Sequence, residues 1–112
     1  MGVVIPRRFE VWLVPLDPTR GSEIRKTRPC VVVSPDELNR NLQTIIVAPM
    51  TTTIRAYPSR VQVTFAGKNG AVALDQIRTV DRDRLRRKLG MLPSGKAHEI
   101  CDVLVEMFAW TG

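Results

Sequence analysis

The sequence predicts a mainly β fold with one long helix: a small antiparallel barrel or strongly curved sheet closed by a carboxy-terminal helix. Three observations predict it. Short apolar, β-branched segments recur as far as Met91, punctuated by Gly, Pro, Asn and Asp. The most regular of them, Ser59 to Phe65, runs straight into a glycine-rich hairpin signal. From Ser94 the apolar residues change to helical spacing.

Taken in order, Phe9 to Leu16 (FEVWLVPL) alternates Glu10 with Val11 and Trp12 with Leu13 before Pro15, which suits a first strand near a sheet edge. Asp17 to Lys26 (DPTRGSEIRK) is polar, carries both charge signs and holds Pro18 and Gly21, so it is expected as an exposed loop. Arg28-Pro29 leads into Cys30, Val31, Val32 and Val33, a strand dense enough to be buried on both faces. Pro35 to Asn39 has the makings of one helical turn, with Ser34 as its cap and Pro35 in the first helical position. Thr44 to Met50 is the next strand, stopped by Pro49 and the threonines 51 to 53.

Ser59 to Phe65 sets Val61, Val63 and Phe65 on one face and Arg60, Gln62 and Thr64 on the other, a half-exposed antiparallel strand. Asn69-Gly70 is the expected hairpin turn, Ala71 to Leu74 the return strand, and Asp75 to Asp81 its outward continuation. Arg84 to Met91 fits a basic helix and a last strand equally poorly, and both stay open. In the final segment Ser94 is the expected cap, and Ala97, Ile100, Cys101, Leu104, Met107 and Phe108 form the apolar stripe of an amphipathic helix laid on the sheet.

At 112 residues, with nothing that reads as a linker, residues 1–112 are expected to form one domain. A chain this short leaves apolar surface uncovered, which favours self-association. The net charge of +6 favours an anionic partner such as nucleic acid. The amino terminus lacks the order of a secretory signal and no apolar run reaches membrane-spanning length, so a cytoplasmic protein with no membrane partner is expected. Cys30 and Cys101 read as small buried hydrophobes rather than a disulfide.

A lone histidine, His98, excludes a nuclease using two histidines as acid and base within one chain. The sequence also lacks a phosphate-cradling GxxxxGK[ST] loop, a zinc constellation and the clustered acids of a two-metal site, so no metal or cofactor is expected. RNA cleavage can proceed without metal because the 2′-hydroxyl beside each phosphate is an internal nucleophile. The groups suited to assist it are Arg28, whose fork of donors matches phosphate oxygens, and the hydroxyls at Thr51 to Thr53. Taken alone, an arginine before a strand is usually a solvated charge and a threonine run usually marks strand propensity.

The stretch Glu10 to Ser34, EVWLVPLDPTRGSEIRKTRPCVVVS, resembles the amino-terminal signature of MazF/PemK/Kid toxins, written GEVWLVDLDPTxGSEIxKTRPxVVVS. VAPMTT from Val47 and LDQIRTVD from Leu74 continue the resemblance in the family's order, so it covers nearly the whole chain. It implies an SH3-like barrel of the MazF/CcdB/Kid kind, a homodimer, and a groove for single-stranded RNA such as mRNA. It further implies ribosome- and metal-independent cleavage to a 2′,3′-cyclic phosphate and a 5′-hydroxyl. Arg28 then matches the catalytic arginine and Thr51 its assisting threonine. Ser22 and Glu23 match RNA-contacting loop residues, and Asp75 and Gln76 match the pair lining the groove. Lys26, Thr52 and Arg78 complete the implied RNA-binding set, Arg78 either tethering phosphate or pairing with an acid. The implied inhibitor is an acidic, MazE-like antitoxin that folds on binding.

Two positions depart from the signature, Phe9 for its glycine and Pro15 for its aspartate; neither falls on Arg28 or Thr51. Two other functions fit the same architecture: a CcdB-like toxin acting by contact with a protein such as gyrase, and a silent RNA-binding barrel. The Arg28 and Thr51 pair with the GSE loop is the feature a protein-binding poison does not need.

Overall fold

The computed structural model describes residues 4–111. Strands β1 (Glu10–Pro15), β2 (Thr27–Val32), β3 (Thr44–Thr51), β4 (Arg60–Phe65), β5 (Lys68–Ala73), β6 (Arg78–Asp81) and β7 (Arg87–Met91) form an antiparallel sheet in the order β4-β5-β3-β2-β1-β7, with β6 also on β3. Helix α1 (Asp36–Asn41) joins β2 to β3, and α2 (Ser94–Phe108) follows β7. The sheet curls until its two ends meet: the Phe65 ring at the end of β4 lies against Gly90 of β7, where a β-carbon would stand 3.2 Å from the ring. This curled sheet with its terminal helix is the architecture expected from the strand and helix patterns.

Both faces of the central strands are buried, as the Cys30 to Val33 run predicts. One face (Val11, Val31, Ala48, Val61, Val72, Leu74) packs with Ile100 of α2. The other (Trp12, Val14, Leu16, Cys30, Val32, Val47) is covered in part by Ile24 of the polar loop and by Leu85. Burying a valine or leucine side chain contributes roughly 1.5–3 kcal/mol, so these two clusters dominate the stability of the sheet. Ile24 also pins the otherwise exposed loop beside the start of β2.

β1 lies near the sheet's edge as expected, with only β7 outside it, and Pro15 is its last residue, paired with Thr27. Several other expectations change. Pro49 does not stop β3, which runs through it to Thr51. β3 pairs with β6 as far as Val47 and with β5 from Met50, so Pro49, which has no N–H to give, falls in the gap between those two ladders. The β4–β5 hairpin exists, but its turn is Ala66-Gly67, with φ of 52° and 77°, and Phe65 pairs with Lys68 across it. Two consecutive positive φ values are what a two-residue hairpin requires. Asn69 and Gly70 are therefore strand residues.

Residues 74–76 form a 3₁₀ turn rather than prolonging β5, after which β6 crosses to β3. The basic segment is a strand, β7. Neither serine caps its helix: Pro35 and Pro93 occupy the cap positions. Ser34 is instead buried, accepting a hydrogen bond from the Ile46 amide (3.1 Å), while the Asn39 side chain donates to its carbonyl oxygen (2.9 Å). Cys30 is buried, whereas Cys101 is only half-buried, and both are free thiols.

Phe9 has φ of 71° and carries the chain from the amino-terminal segment into β1. It is the position at which the quoted signature has glycine, the residue that adopts such a backbone without steric cost. Next to it, Glu10 is buried, accepting from the Arg7 amide (2.8 Å) and the Trp12 indole (3.1 Å) and pairing with Lys88 (2.8 Å). Burial opposes its ionisation, but those donors together outweigh it and hold the carboxyl below its ordinary value.

Candidate active site

Arg28 and Thr51 lie at the open end of the β2–β3 pairing. That ladder joins Val32 with Val47, Val31 with Ala48 and Cys30 with Pro49, and Arg28 and Thr51 each stand two residues beyond its last pair. Both line an apolar cleft of about 400 Å³ running towards β4 and β7, and a more polar cleft of about 300 Å³ running beneath the loop. The pair thus stands where two clefts meet.

Arg28 is half-buried, and its Nε donates to the Arg25 carbonyl oxygen at 2.8 Å, which turns one edge of the guanidinium into the loop. Among the described residues no carboxylate pairs with it, leaving its terminal nitrogens as donors for an anion. The Thr51 hydroxyl accepts from the Thr53 amide at 3.1 Å, which orients the oxygen and leaves its hydrogen to donate. Thr52 beside it is exposed. Cys30, one turn of the pleat inward from Arg28, is no nucleophile: burial pushes its thiol up to about 12, against the opposing fields of Arg78 and Arg28.

The other predicted residues hold the loop. The Gln76 side chain accepts from the Ile24 amide (3.0 Å) and donates to the Ser22 carbonyl oxygen (3.4 Å). Among the described residues Arg78 pairs with no acid; it donates to the carbonyl oxygens of Ile24 (3.2 Å) and Leu16 (3.5 Å), bracketing the loop from below. Lys26 closes the loop base, its carbonyl oxygen accepting from the Leu16 amide (3.0 Å) with φ of 71°. Glu23 turns back on the loop, accepting from the Arg20 amide at 2.6 Å. Ser22, Glu23 and Gln76 all line the loop-side cleft.

Asp75 does not join them in that cleft. Arg60 grips it with two hydrogen bonds (2.6 and 3.0 Å), and the Ser59 hydroxyl donates to it at 2.9 Å. The guanidinium is the larger influence and, with the hydroxyl and against burial, lowers the carboxyl below its usual range; reciprocally, Asp75 raises Arg60. Reasoning from sequence missed Arg25, Arg55 and Arg60, which bring further positive charge to the loop-side cleft. Only the overall charge hinted at them, since no motif fixes their spacing. His98 lines a separate cleft with Phe9, Met91 and Cys101 that shares no residue with the other two.

The profile of the family described as "PemK-like, MazF-like toxin of type II toxin-antitoxin system" matches residues 7–108. The chain belongs to this family. A curated relative, the endoribonuclease MazF of Staphylococcus saprophyticus, is 36% identical over 100 residues, spanning 84% of this chain and 83% of its own. Among solved structures, MazF of Deinococcus radiodurans superposes with a TM-score of 0.83 at 24% identity, covering 96% of this chain and all of its own, which establishes the fold. A mycobacterial endoribonuclease solved in complex with its cognate antitoxin gives 0.79 at 25% identity, over 94% of this chain and 98% of its own. No helix among the described residues of this family member is long and apolar enough to cross a membrane.

Proposed function

We propose that this toxin is a sequence-specific, ribosome-independent and metal-independent endoribonuclease that cuts single-stranded RNA, mRNA above all, and acts as a cytoplasmic homodimer silenced by an acidic antitoxin. The observation that carries it is that Arg28 and Thr51, just beyond the end of the β2–β3 ladder, both line the same two clefts. The chemistry needs no cofactor. The ribose 2′-hydroxyl gives its proton to water as its oxygen attacks the adjacent phosphorus, and the bond from phosphorus to the 5′-oxygen breaks. That oxygen takes a proton which solvent replaces on the donor, and the products are a 2′,3′-cyclic phosphate and a 5′-hydroxyl. Arg28 neutralises the charge that builds on the pentacoordinate phosphorane and protonates the departing 5′-oxygen, while the Thr51 hydroxyl holds a phosphoryl oxygen.

Around that pair, Ser22, Glu23, Lys26 and Thr52 present donors and acceptors to the RNA. Gln76, Arg78 and Asp75 act by holding the loop and the turn beside it. The relative named an endoribonuclease and the structure of a related enzyme with its antitoxin both support this reading over a toxin that only binds a protein target. The test is cleavage of a long defined RNA by purified protein in EDTA, without ribosomes, with both ends mapped. Clustered cuts bearing cyclic phosphate and 5′-hydroxyl ends are expected. Intact RNA, or cuts that require added metal, would overturn the proposal.

A further inference from the structure

We propose that the apolar cleft beside Arg28 and Thr51 holds the nucleotide adjoining the scissile phosphate, its base on Phe65 and Leu89 and its far phosphate against Lys68. This rests on the ribonuclease reading and adds a specificity subsite to it. The cleft, at about 400 Å³, is of ligand size, and its interior is apolar where the loop-side cleft is polar. Phe65 gives it an aromatic wall whose far side is fixed by the close approach of Gly90. A ring so held offers a stacking surface at little entropic cost. Leu89, from the next residue of β7, and Met50 complete the apolar surface.

The lining also carries charge. Arg28 comes to it from β2, and Lys68, paired with Phe65 across the hairpin and so on the same face, comes to it from β5. Lys68 is exposed, and among the described residues no carboxylate engages it. An apolar, aromatic wall in a cleft that two cations also line is the complement of a nucleotide in a strand, which is an aromatic face between two phosphates. An acidic peptide would match the cations and leave the aromatic wall unused.

The test compares the parent protein with Lys68→Gln and Leu89→Ala on a defined RNA, reading KM, kcat, the salt slope, every cut site and the sedimentation coefficient. In Lys68→Gln we expect KM to rise roughly tenfold with kcat nearly unchanged, and the slope of log affinity on log salt to fall by about one. In Leu89→Ala the base preference at one position flanking the cut should change roughly tenfold. Unchanged KM and cut sites in both variants would overturn the subsite while leaving the nuclease standing. Variants that sediment as a smaller species yet cut at the same sites would assign the cleft to a second copy of the chain, which also overturns it. RNA left intact by the parent protein would remove the nuclease reading itself.

Discussion

The carbonyl oxygen of Thr51 lies 2.6 Å from where a β-carbon on Gly70 would stand. That approach is possible only at a residue without a side chain, because the next strand must come in close for β3 to change partners from β6 to β5. The glycine therefore sets the position of the Thr51 backbone, and through it the hydroxyl that lines the clefts with Arg28.

Gly70→Ala is expected to force β5 or Thr51 aside, costing about 1–3 kcal/mol as overpacking does. RNA cleavage should fall further than the lost folded fraction explains. Urea denaturation with parallel activity measurements checks this, and a fully stable, fully active Gly70→Ala protein would sink the positioning role.

Direct loss of the pair should be steeper. Arg28→Ala should lower kcat roughly 10³-fold and Thr51→Val roughly 10²-fold, the scale of removing a donor to developing charge, with folding unchanged. Arg28→Lys should recover only a small part, since an ammonium lacks the guanidinium's fork. Single-turnover cleavage under saturating enzyme reads each value; wild-type rates in Arg28→Ala would refute its role.

Phe9 makes a separate prediction about stability. Its φ of 71° strains any residue with a β-carbon by about 1–2 kcal/mol, while its ring is half-buried against the core and carries the Arg8 guanidinium 5.1 Å from its centroid. Removing the ring loses packing in both Phe9→Ala and Phe9→Gly, but only glycine relieves the backbone. Phe9→Gly should therefore be the more stable of the two by about 1 kcal/mol. Equal urea midpoints would mean that the backbone relaxes without cost.

The Asp75 ion pair predicts a pH effect. Arg60 foremost holds the carboxyl below its ordinary value, so the folded protein binds fewer protons there than the unfolded chain. The resulting stability is complete above the ordinary carboxyl range, near about pH 4, and is lost as pH falls through the lowered folded value. The Asp75 side chain is 33% exposed, so water screens the pair and its contribution should not exceed about 1 kcal/mol. Asp75→Asn should be less stable than the parent at neutral pH, and the two should converge in acid. A gap between their urea midpoints that stays constant from neutral pH into acid would contradict the assignment.

Strand and helix patterns were legible because they depend on neighbours in the chain. The alternation from Arg60 to Phe65, the valine run at β2 and the helix stripe from Ala97 to Leu104 each report a buried or half-buried face, whereas Met107 and Phe108, the last members of that stripe, are exposed. Arg28 and Thr51 were legible only as groups suited to phosphate, and it was the resemblance to the family signature that singled them out. The hairpin turn was misread by three residues because Asn69-Gly70 carries the common turn signal, while the turn itself uses an alanine at φ of 52°. Gly70 had a different duty, close contact with Thr51, which no local pattern announces.

By itself, then, the amino-acid sequence determined which segments extend, which one coils and which side chains can engage a phosphate, since periodicity, turn chemistry and functional groups are local properties. Only the tertiary structure decided that β7 pairs outside β1, that Gln76 and Arg78 hold the loop while Asp75 is taken by Arg60, and that Phe65 closes the sheet against Gly90. Those outcomes depend on which strands become neighbours, and that is settled by burying two apolar faces at once rather than by any one segment's preference.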